Sequence, residues 1–388
     1  MEDNGAWELP SELILLRDNI KRFMQDEVRP AEEKLEHDAY KMPPELLNPL
    51  QTKAQDQLGI WCINTPKKFG GSELSLLAQA VVAEEAAQCR MGAYVPACGA
   101  IGVDPPNVIF DGTEAQIEKY GRRTIEQGLK AFVAISEPGG GSDPARAIQC
   151  KAERQGDHYI LNGTKLWITG AEAAEWGLVF ARTEAGISCF IVDKEMAGIS
   201  TRPVPVIRSY SPSEVTFTNC KVPVENLLGE EGRGFALCQK WLVHARIPYS
   251  ANVIGIAQRS LELAIEWARQ RETFRSALAD KQAIQWMIAD SEIEIRAARL
   301  LTYQAAWQAD LGNDIKVAAS MAKVYSTEMA GRVVDRCIQI FGGMGVAAEM
   351  PLERWYREMR IKRIGEGPSE VHRMVIARDL LSLSLIHI

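Results

Sequence analysis

The spacing of apolar residues along this chain changes twice, and each change limits the folds that the chain can adopt. Up to about residue 130 they recur with a helical period, as in the stripe that follows Ser11. Thr113–Gln116 also matches the capping box that opens a helix. From about 131 to 234 apolar and polar residues alternate, which is typical of strands, and from Phe235 onward the helical period returns.

The last third of the chain carries the longest helical patterns. They predict helices over residues 235–271, 280–310, 314–341 and 369–383. Long helices rich in Ala, Leu and Ile suit a bundle whose remaining apolar faces make oligomer contacts. The fold class predicted is therefore α+β multidomain, with an N-terminal α-helical domain (1–130), a middle antiparallel β domain (131–234) and a C-terminal domain resembling a four-helix bundle (235–388).

Within the middle region, the dipeptide Asn162-Gly163 predicts a hairpin turn. Strand-like residues lie on both sides of it, Tyr159–Leu161 before and Lys165–Ile168 after. Because Asn-Gly is a favoured two-residue turn, we expect these two segments to pair with each other.

Composition and charge exclude several classes of protein. A net charge of −7 disfavours nucleic acid or an anionic membrane as the main partner. The eight cysteines have no metal-finger spacing, so we expect buried, reduced thiols and no metal site. No apolar run approaches the roughly 18 residues that span a bilayer, and Met1–Trp7 resembles neither a secretory signal nor a transit peptide. These features predict a cytoplasmic protein, of bacterial type.

The segment Ser136–Asp143 contains three consecutive glycines and predicts a bound cofactor. Glycine lets the backbone approach a ligand closely, and the hydroxyl groups of Ser136, Ser142 and Thr169 can bind a flat ligand rich in heteroatoms. Gly343–Ala348 matches a dinucleotide fingerprint, but it follows a helical segment and no βαβ unit surrounds it. A Rossmann NAD site is therefore excluded.

Further motifs follow in a fixed order, and with them the chain resembles the acyl-CoA dehydrogenase family over essentially its full length. The motifs that carry the resemblance are Ser136–Asp143, Leu161–Thr169, Arg271–Phe274 with Gln282, Gln339–Gly343, and Gly365–Gly367. The resemblance implies FAD, held noncovalently between the middle domain and the C-terminal bundle of a homodimer or homotetramer. The three-part pattern of helices and strands agrees with it independently.

The resemblance also assigns the residues that bind FAD. Those expected around the isoalloxazine ring are Val133, Ala134, Ile135, Ser136, Gly141, Ser142, Trp167, Ile168 and Thr169. Those expected at the pyrophosphate and adenosine, typically across a subunit interface, are Arg271, Thr273, Phe274, Gln282, Gln339, Gly342 and Gly343. The chain departs from the common family pattern at Pro368, Glu370 and Arg275, where many members have Thr, Gln and Gly, so an FAD or ribose contact at Pro368 or Glu370 is expected to be altered or lost.

The activity that the resemblance implies is α,β-dehydrogenation of an acyl-CoA thioester to the trans-2-enoyl-CoA, in fatty-acid metabolism. Glu366 is the expected base for the α-proton, while the β-hydride passes to flavin N5. Ser142 and Arg246 would face the CoA moiety, and Gly367 would line the thioester pocket. An electron-transfer flavoprotein is the expected electron acceptor.

Other activities remain open at the level of the sequence. Relatives of the same fold act as enoyl-CoA reductases or as oxygen-reactive acyl-CoA oxidases, and a catalytically silent subunit that binds acyl-CoA or FAD is an alternative of a different class. The variant Pro368–His372 resembles a branch of the family whose members act on varied acyl groups. The sequence therefore leaves the length and branching of the acyl group open.

Overall fold

A computed structural model describes residues 8–386, and side chains as far as residue 382. The prediction made for Met1–Trp7 lies outside the described residues. The first helices are α1 (Ser11–Phe23), α2 (Arg29–Glu32), α3 (Pro44–Asp56), α4 (Leu76–Ala86), α5 (Glu114–Gln116) and α6 (Arg123–Gln127). The capping box predicted at Thr113 is confirmed, because its side chain accepts from the Gln116 amide and the Gln116 side chain accepts in return.

Helix α4 lies at the centre of the helical packing, since every one of its residues is buried. Eight of its eleven residues are apolar and they cover all sides of the helix, which is the pattern of a helix enclosed by neighbours. Across the described residues, none of the helices combines the length and the apolar character that crossing a bilayer requires.

The middle region forms a sheet, and one short helix, α7 (Pro144–Ala147), lies between its first two strands along the chain. Its strands are β1 (Ala131–Ala134), β2 (Lys151–Gln155), β3 (His158–Ile168), β4 (Trp176–Thr183), β5 (Gly186–Asp193), β6 (Ile199–Pro203), β7 (Ser213–Pro223) and β8 (Leu227–Leu228). They are ordered β6-β7-β3-β2-β4-β5-β8, with β1 paired to β4. Among the described residues, five of its seven pairings are antiparallel, as predicted, whereas β1 and β2 both run parallel to β4. The long connection through α7, β2 and β3 supplies the crossover that parallel pairing needs.

The prediction of a hairpin turn at Asn162-Gly163 is wrong, since both residues lie inside the continuous strand β3. The turn lies earlier, where β2 and β3 pair as far as Gln155 and His158 across Gly156, whose φ is +62°. Asn162 instead lies opposite an irregularity in β7, and its Oδ1 accepts from the Asn219 amide at 2.7 Å. Asn-Gly here marks a bulge in the neighbouring strand rather than a change of direction.

The C-terminal region consists mainly of long helices, as predicted. Its elements are α8 (Gly234–Gln270), the two-residue strands β9 (Glu272–Thr273) and β10 (Ser276–Ala277), α9 (Gln282–Asp310), α10 (Lys316–Phe341), α11 (Pro351–Lys362) and α12 (Ser369–Ile386). The largest apolar core lies between α8, α10 and α11 and includes Ile254, Val333 and Trp355. The helical, sheet and helical regions follow one another as expected, while the domain limits at residues 130 and 234 stay predictions.

Candidate active site

A buried ion pair fixes the glycine-rich loop that follows β1. Lys165 of β3 donates from Nζ to Glu137 Oε1 at 2.8 Å and to the Ile135 carbonyl at 3.0 Å. The Glu137 carboxylate also accepts from the amides of Gln149 and Cys150, at 2.7 and 3.0 Å. Because removing one partner of a buried pair costs about 3–5 kcal/mol, this arrangement holds the loop backbone in one place.

The residues predicted around the flavin ring lie on two adjacent segments. The Ser136 carbonyl accepts from the Leu166 amide at 2.9 Å, which places residues 133–136 beside residues 166–169. Trp167 has a φ of +67° and its side chain is 54% exposed, whereas Ile168 is buried beneath it. Thr169 is exposed, and its Oγ1 accepts from Arg208 Nη2 at 3.1 Å.

This surface fits a flat, polar ring system. A Cβ atom built on Gly139 or Gly141 would meet nothing within 4 Å, so open space lies above the loop. Trp167, whose indole is exposed, belongs to the segment that lies beside residues 133–136, and Ser142 is exposed in the loop itself. The residues present therefore fit the group that the sequence resemblance implies.

The residues predicted at the pyrophosphate and adenosine lie at one end of the bundle. Arg271 ends α8, and β9 and β10 form a hairpin whose two turn residues are Phe274 and Arg275, with φ of +51° and +66°. The Phe274 side chain is 96% exposed. Of the other residues predicted here, Thr273 in β9 is half-buried. The rest are exposed: Gln282 at the start of α9, and Gln339, Gly342 and Gly343 at the end of α10.

A stacked aromatic pair holds this end of the bundle together. The rings of Trp267 in α8 and Phe341 in α10 lie 4.9 Å apart between centroids. Across the described part of the chain, no hydrogen bond or ion pair joins the Phe274 hairpin to the loop that carries Glu366. The prediction that this group serves a neighbouring subunit stays a prediction.

Glu366 lies in a loop between α11 and α12 that is held from three sides. Arg246 of α8 donates from Nε to the Glu366 carbonyl at 3.3 Å, and His372 Nε2 donates to the same oxygen at 3.2 Å. Lys323 of α10 donates from Nζ to the Gly367 carbonyl at 2.6 Å. These contacts maintain a left-handed conformation at Glu366, with a φ of +56°, which costs a residue with a side chain about 1–2 kcal/mol.

The Glu366 carboxylate lacks the partners that buried acids usually have. Its Oε2 atom is inaccessible to solvent and has no hydrogen-bond partner among the described residues. Burial raises the pKa of Glu366, while the positive charges of Arg246, Lys323 and Lys362 act in the opposite direction. A carboxylate with a raised pKa and a free oxygen atom is suited to accept a proton from a bound molecule.

His372 supports the loop as a neutral side chain. Burial, together with the charges of Arg246 and Lys323, lowers its pKa to about 3. Because the Glu366 carbonyl can only accept, the neutral ring carries its proton on Nε2. The Pro368 carbonyl accepts from the Val371 and His372 amides and so begins α12, whereas the Glu370 side chain is exposed in the same turn.

Five further residues around Glu366 were not predicted from the sequence: Tyr94, Arg208, Tyr249, Lys323 and Lys362. For Lys323 a signal existed, because it falls within a stripe of α10 whose neighbours Ala319 and Ala322 are apolar and buried. A lysine in such a stripe indicates a specific acceptor. The other four come from separate segments that only the tertiary structure brings together.

Comparisons with known proteins agree along the whole described chain. Family models described as the N-terminal, middle and C-terminal domains of acyl-CoA dehydrogenase match residues 10–127, 132–220 and 232–381. A 3-(aryl)acrylate reductase from Clostridium sporogenes is 35% identical over 95% of this chain and 98% of its own. The mitochondrial short-chain specific acyl-CoA dehydrogenase of Mus musculus is 35% identical over 96% and 91%.

A solved structure shows the same architecture. The butyryl-CoA dehydrogenase of Megasphaera elsdenii superposes with a TM-score of 0.85 and 30% sequence identity. The match covers 97% of this chain and the whole of that one. The three-part fold predicted from the sequence is thereby confirmed.

Proposed function

Because this chain belongs to the acyl-CoA dehydrogenase family, we propose that it removes the α-proton and β-hydride of an acyl-CoA thioester, with Glu366 as the base. The observation that carries this proposal is the buried, unpaired Oε2 atom of Glu366. A buried carboxylate with no partner is costly, and a structure retains it where a substrate supplies the partner.

The cofactor is FAD, as in the family. The glycine loop, Trp167 and Thr169 would hold its ring, and the exposed residues of the bundle end, such as Arg271 and Phe274, would hold its remaining parts from a neighbouring copy. When bound, FAD supplies the acceptor for the β-hydride. Pro368 lies directly before α12 and Glu370 in its first turn, and among the described residues the exposed Glu370 side chain has no hydrogen-bond partner that would keep it from a ligand.

The chain's own part of the reaction is to orient the thioester and to take up a proton. The α-proton passes to Oε2 of Glu366, the atom that is already shielded from water. Shielding matters because a carboxylate stabilised by water is a weaker base, and burial raises the pKa of Glu366. Lys323, Arg246 and His372 act as positioning residues, since all three donate to carbonyl groups of the Glu366 loop.

The remaining assignments complete the proposal. Ser142 and Arg246 face the CoA moiety, Gly367 lines the thioester pocket, and an electron-transfer flavoprotein accepts the electrons. We propose a homodimer or homotetramer as the active form, in which the almost fully exposed Phe274 side chain would be covered by a second copy.

A second candidate function is the reverse reaction, reduction of a 2-enoyl thioester. The observation that favours it is the likeness to a relative named as a 3-(aryl)acrylate reductase. The sequence identity to that relative, 35%, is the same as the identity to the mouse dehydrogenase. The two directions use the same base and the same ring, so the residues around Glu366 are compatible with both.

An anaerobic titration of the purified holoprotein tests the proposal. Acyl-CoA thioesters of different length and branching are added while the visible flavin spectrum is recorded. We expect at least one thioester to bleach the oxidised flavin band. A flavin that no thioester bleaches, but whose chemically reduced form is reoxidised by a 2-enoyl thioester, supports the reductase instead. A chain that binds no flavin contradicts both.

A further inference from the structure

Positive charge surrounds Glu366 in excess of negative charge. Arg246, Lys323 and Lys362 all act on the carboxylate electrostatically, and Arg208 acts on Lys362. The acid that acts most strongly on Lys362 is Glu358, whose Oε1 pairs with Arg354 at 3.0 Å and whose Oε2 is buried without a hydrogen-bond partner among the described residues. The pocket therefore carries more buried cations than its acids can neutralise.

Lys362 is the most isolated of these cations. Its side chain is 4% exposed, and among the described residues its Nζ atom has no hydrogen bond or ion pair. The ammonium group lies over two aromatic rings, 4.1 Å from the centroid of Tyr249 and 4.5 Å from that of Tyr94. Because the surroundings solvate the ammonium group poorly, burial lowers the pKa of Lys362 to about 7.

Arg208 reaches the same place from the loop between β6 and β7. It is 5% exposed, and its guanidinium lies 4.0 Å above the centroid of Tyr94. One arm donates to Thr169, but Nε is buried without a partner, and no carboxylate of the described residues pairs with it. An arginine cannot shed its proton to escape this environment.

The aromatic contacts do not offset the burial of these charges. A cation over an aromatic ring gains about 0.5–2 kcal/mol, whereas the effective desolvation penalty of a buried ion is several kcal/mol. The Tyr94 hydroxyl is also buried, with no hydrogen-bond partner of acceptable geometry among the described residues. Tyr94, Arg208, Tyr249 and Lys362, here called the cation–tyrosine cluster, thus present several donors and no carboxylate of their own.

The cluster adjoins the Glu366 loop directly. The Tyr249 hydroxyl donates to the Lys362 carbonyl at 3.2 Å, and a Cβ on Gly365 would lie 2.8 Å from that hydroxyl. Gly365 therefore leaves the space beside Glu366 to the tyrosine. A substrate held at Glu366 would thus lie next to the segment against which Tyr249 packs.

We propose that the cation–tyrosine cluster binds a carboxylate carried by the acyl group, so that the substrates are CoA monothioesters of dicarboxylic acids. This inference rests on the proposed function, because it assumes that an acyl thioester occupies the pocket at Glu366. A carboxylate supplies the acceptor that Lys362 Nζ, Arg208 Nε and the Tyr94 hydroxyl lack. A neutral acyl chain would leave all of them unpaired.

Binding to the FAD-loaded Glu366→Gln variant tests the inference without turnover. Dissociation constants are measured by calorimetry for succinyl-, glutaryl- and adipyl-CoA and for the corresponding ω-amide thioesters, which have the same shape and no charge. We expect at least one carboxylate to bind roughly 10- to 100-fold more tightly than its amide. Adding Lys362→Met should bring that ratio close to 1, whereas Arg360→Met, which removes an exposed charge from the same helix, should leave it unchanged.

Tyr94→Phe provides a second variant that removes only a hydroxyl group and is expected to reduce the ratio severalfold. Equal affinities for every carboxylate and its amide, or tighter binding of the amides, would overturn the inference. The anaerobic titration of the wild type separates the two proposals. Bleaching without a preference refutes the carboxylate site alone, and a preference without bleaching by any thioester refutes dehydrogenation while the carboxylate site stands.

Discussion

The loop that carries Glu366 and the hairpin that carries Phe274 both have left-handed, non-glycine residues, yet they are supported in opposite ways. Glu366 is surrounded by three donors to its loop carbonyls and by buried cations. Phe274 is 96% exposed, and its hairpin consists of two residue pairs. Contacts within a single chain hold the backbone conformation at Glu366, whereas few contacts hold the conformation at Phe274.

This difference indicates which part of the site a single chain completes. The chemistry at Glu366 depends on charge and burial that are already present in one chain. The surface around Phe274 gains its burial only when FAD and a second copy cover it, as the proposed function requires. Substitutions in the two regions should therefore affect different measurements.

The largest effect is expected at Glu366. Glu366→Gln removes the base but keeps the size of the side chain, so turnover should fall by roughly 100- to 10,000-fold while FAD remains bound. Steady-state kinetics and the flavin spectrum of the purified variant check this. Glu114→Gln, an exposed substitution in α5, is the matched control. Unchanged turnover in Glu366→Gln would remove Glu366 from its assigned role.

The buried cation Lys362 should make stability depend on pH. Its pKa is about 7 in the folded chain against an ordinary value of 10.5, so between these values the unfolded chain binds one more proton and stability rises with pH. Lys362→Met should remove a slope of about 1.4 kcal/mol per pH unit in that window. Urea unfolding at pH 7, 8 and 9 with saturating FAD measures it, with Arg360→Met as the control. Identical slopes in all three proteins would show that Lys362 is not desolvated.

At the hairpin, Phe274→Ala should weaken the binding of FAD without lowering the free energy of unfolding of the chain. An exposed side chain contributes little to the stability of the chain, so the unfolding free energy of the FAD-free protein should change by less than about 0.5 kcal/mol. If Phe274 is covered on assembly, FAD affinity should fall roughly 10-fold or more. Leu15→Ala, another exposed apolar substitution, should alter neither quantity. A stable variant with unchanged FAD affinity would contradict the assigned contact.

The smallest effect concerns Arg275, the second residue of the hairpin turn. Its φ of +66° suits glycine, which many members of the family have there. Arg275→Gly should therefore be about 1 kcal/mol more stable than Arg275→Ala, since both remove the same side chain but only glycine relieves the conformation. Thermal unfolding of the two variants compares them directly, and equal midpoints would show that the strain is released elsewhere.

Periodicity alone located the three longest helices of the C-terminal region, although it did not single out α11. The helices predicted over 235–271, 280–310 and 314–341 agree with α8, α9 and α10 to within two residues at each end. The hairpin at Asn162-Gly163 failed because an Asn-Gly pair suits any place where the ladder is irregular, and here its partner strand carries the extra residue. Local sequence does not distinguish the two cases.

The candidate site could be predicted only in part. The motifs supplied three of the site residues, Glu366, Arg246 and Gly367. Arg246 of α8 contacts the loop that carries the other two, which agrees with a shared site. Lys362 and Tyr94 carried no motif, because what marks them is burial without a partner. That property depends on segments more than 250 positions apart in the chain and exists only once it is folded.

The irregular pairing of β3 with β7 determines which insertions and deletions these two strands of the chain can tolerate. The extra residue near Asn219 lies in β7 and the extra residue near Trp167 lies in β3, so the two shifts cancel and the ladder regains its register at Ile168 and Ser213. Deleting one residue from either strand would move every later pair by one position and turn buried side chains outward. An insertion or deletion at one irregularity is therefore expected to keep the buried faces of the two strands in place only if the other strand changes by one residue as well.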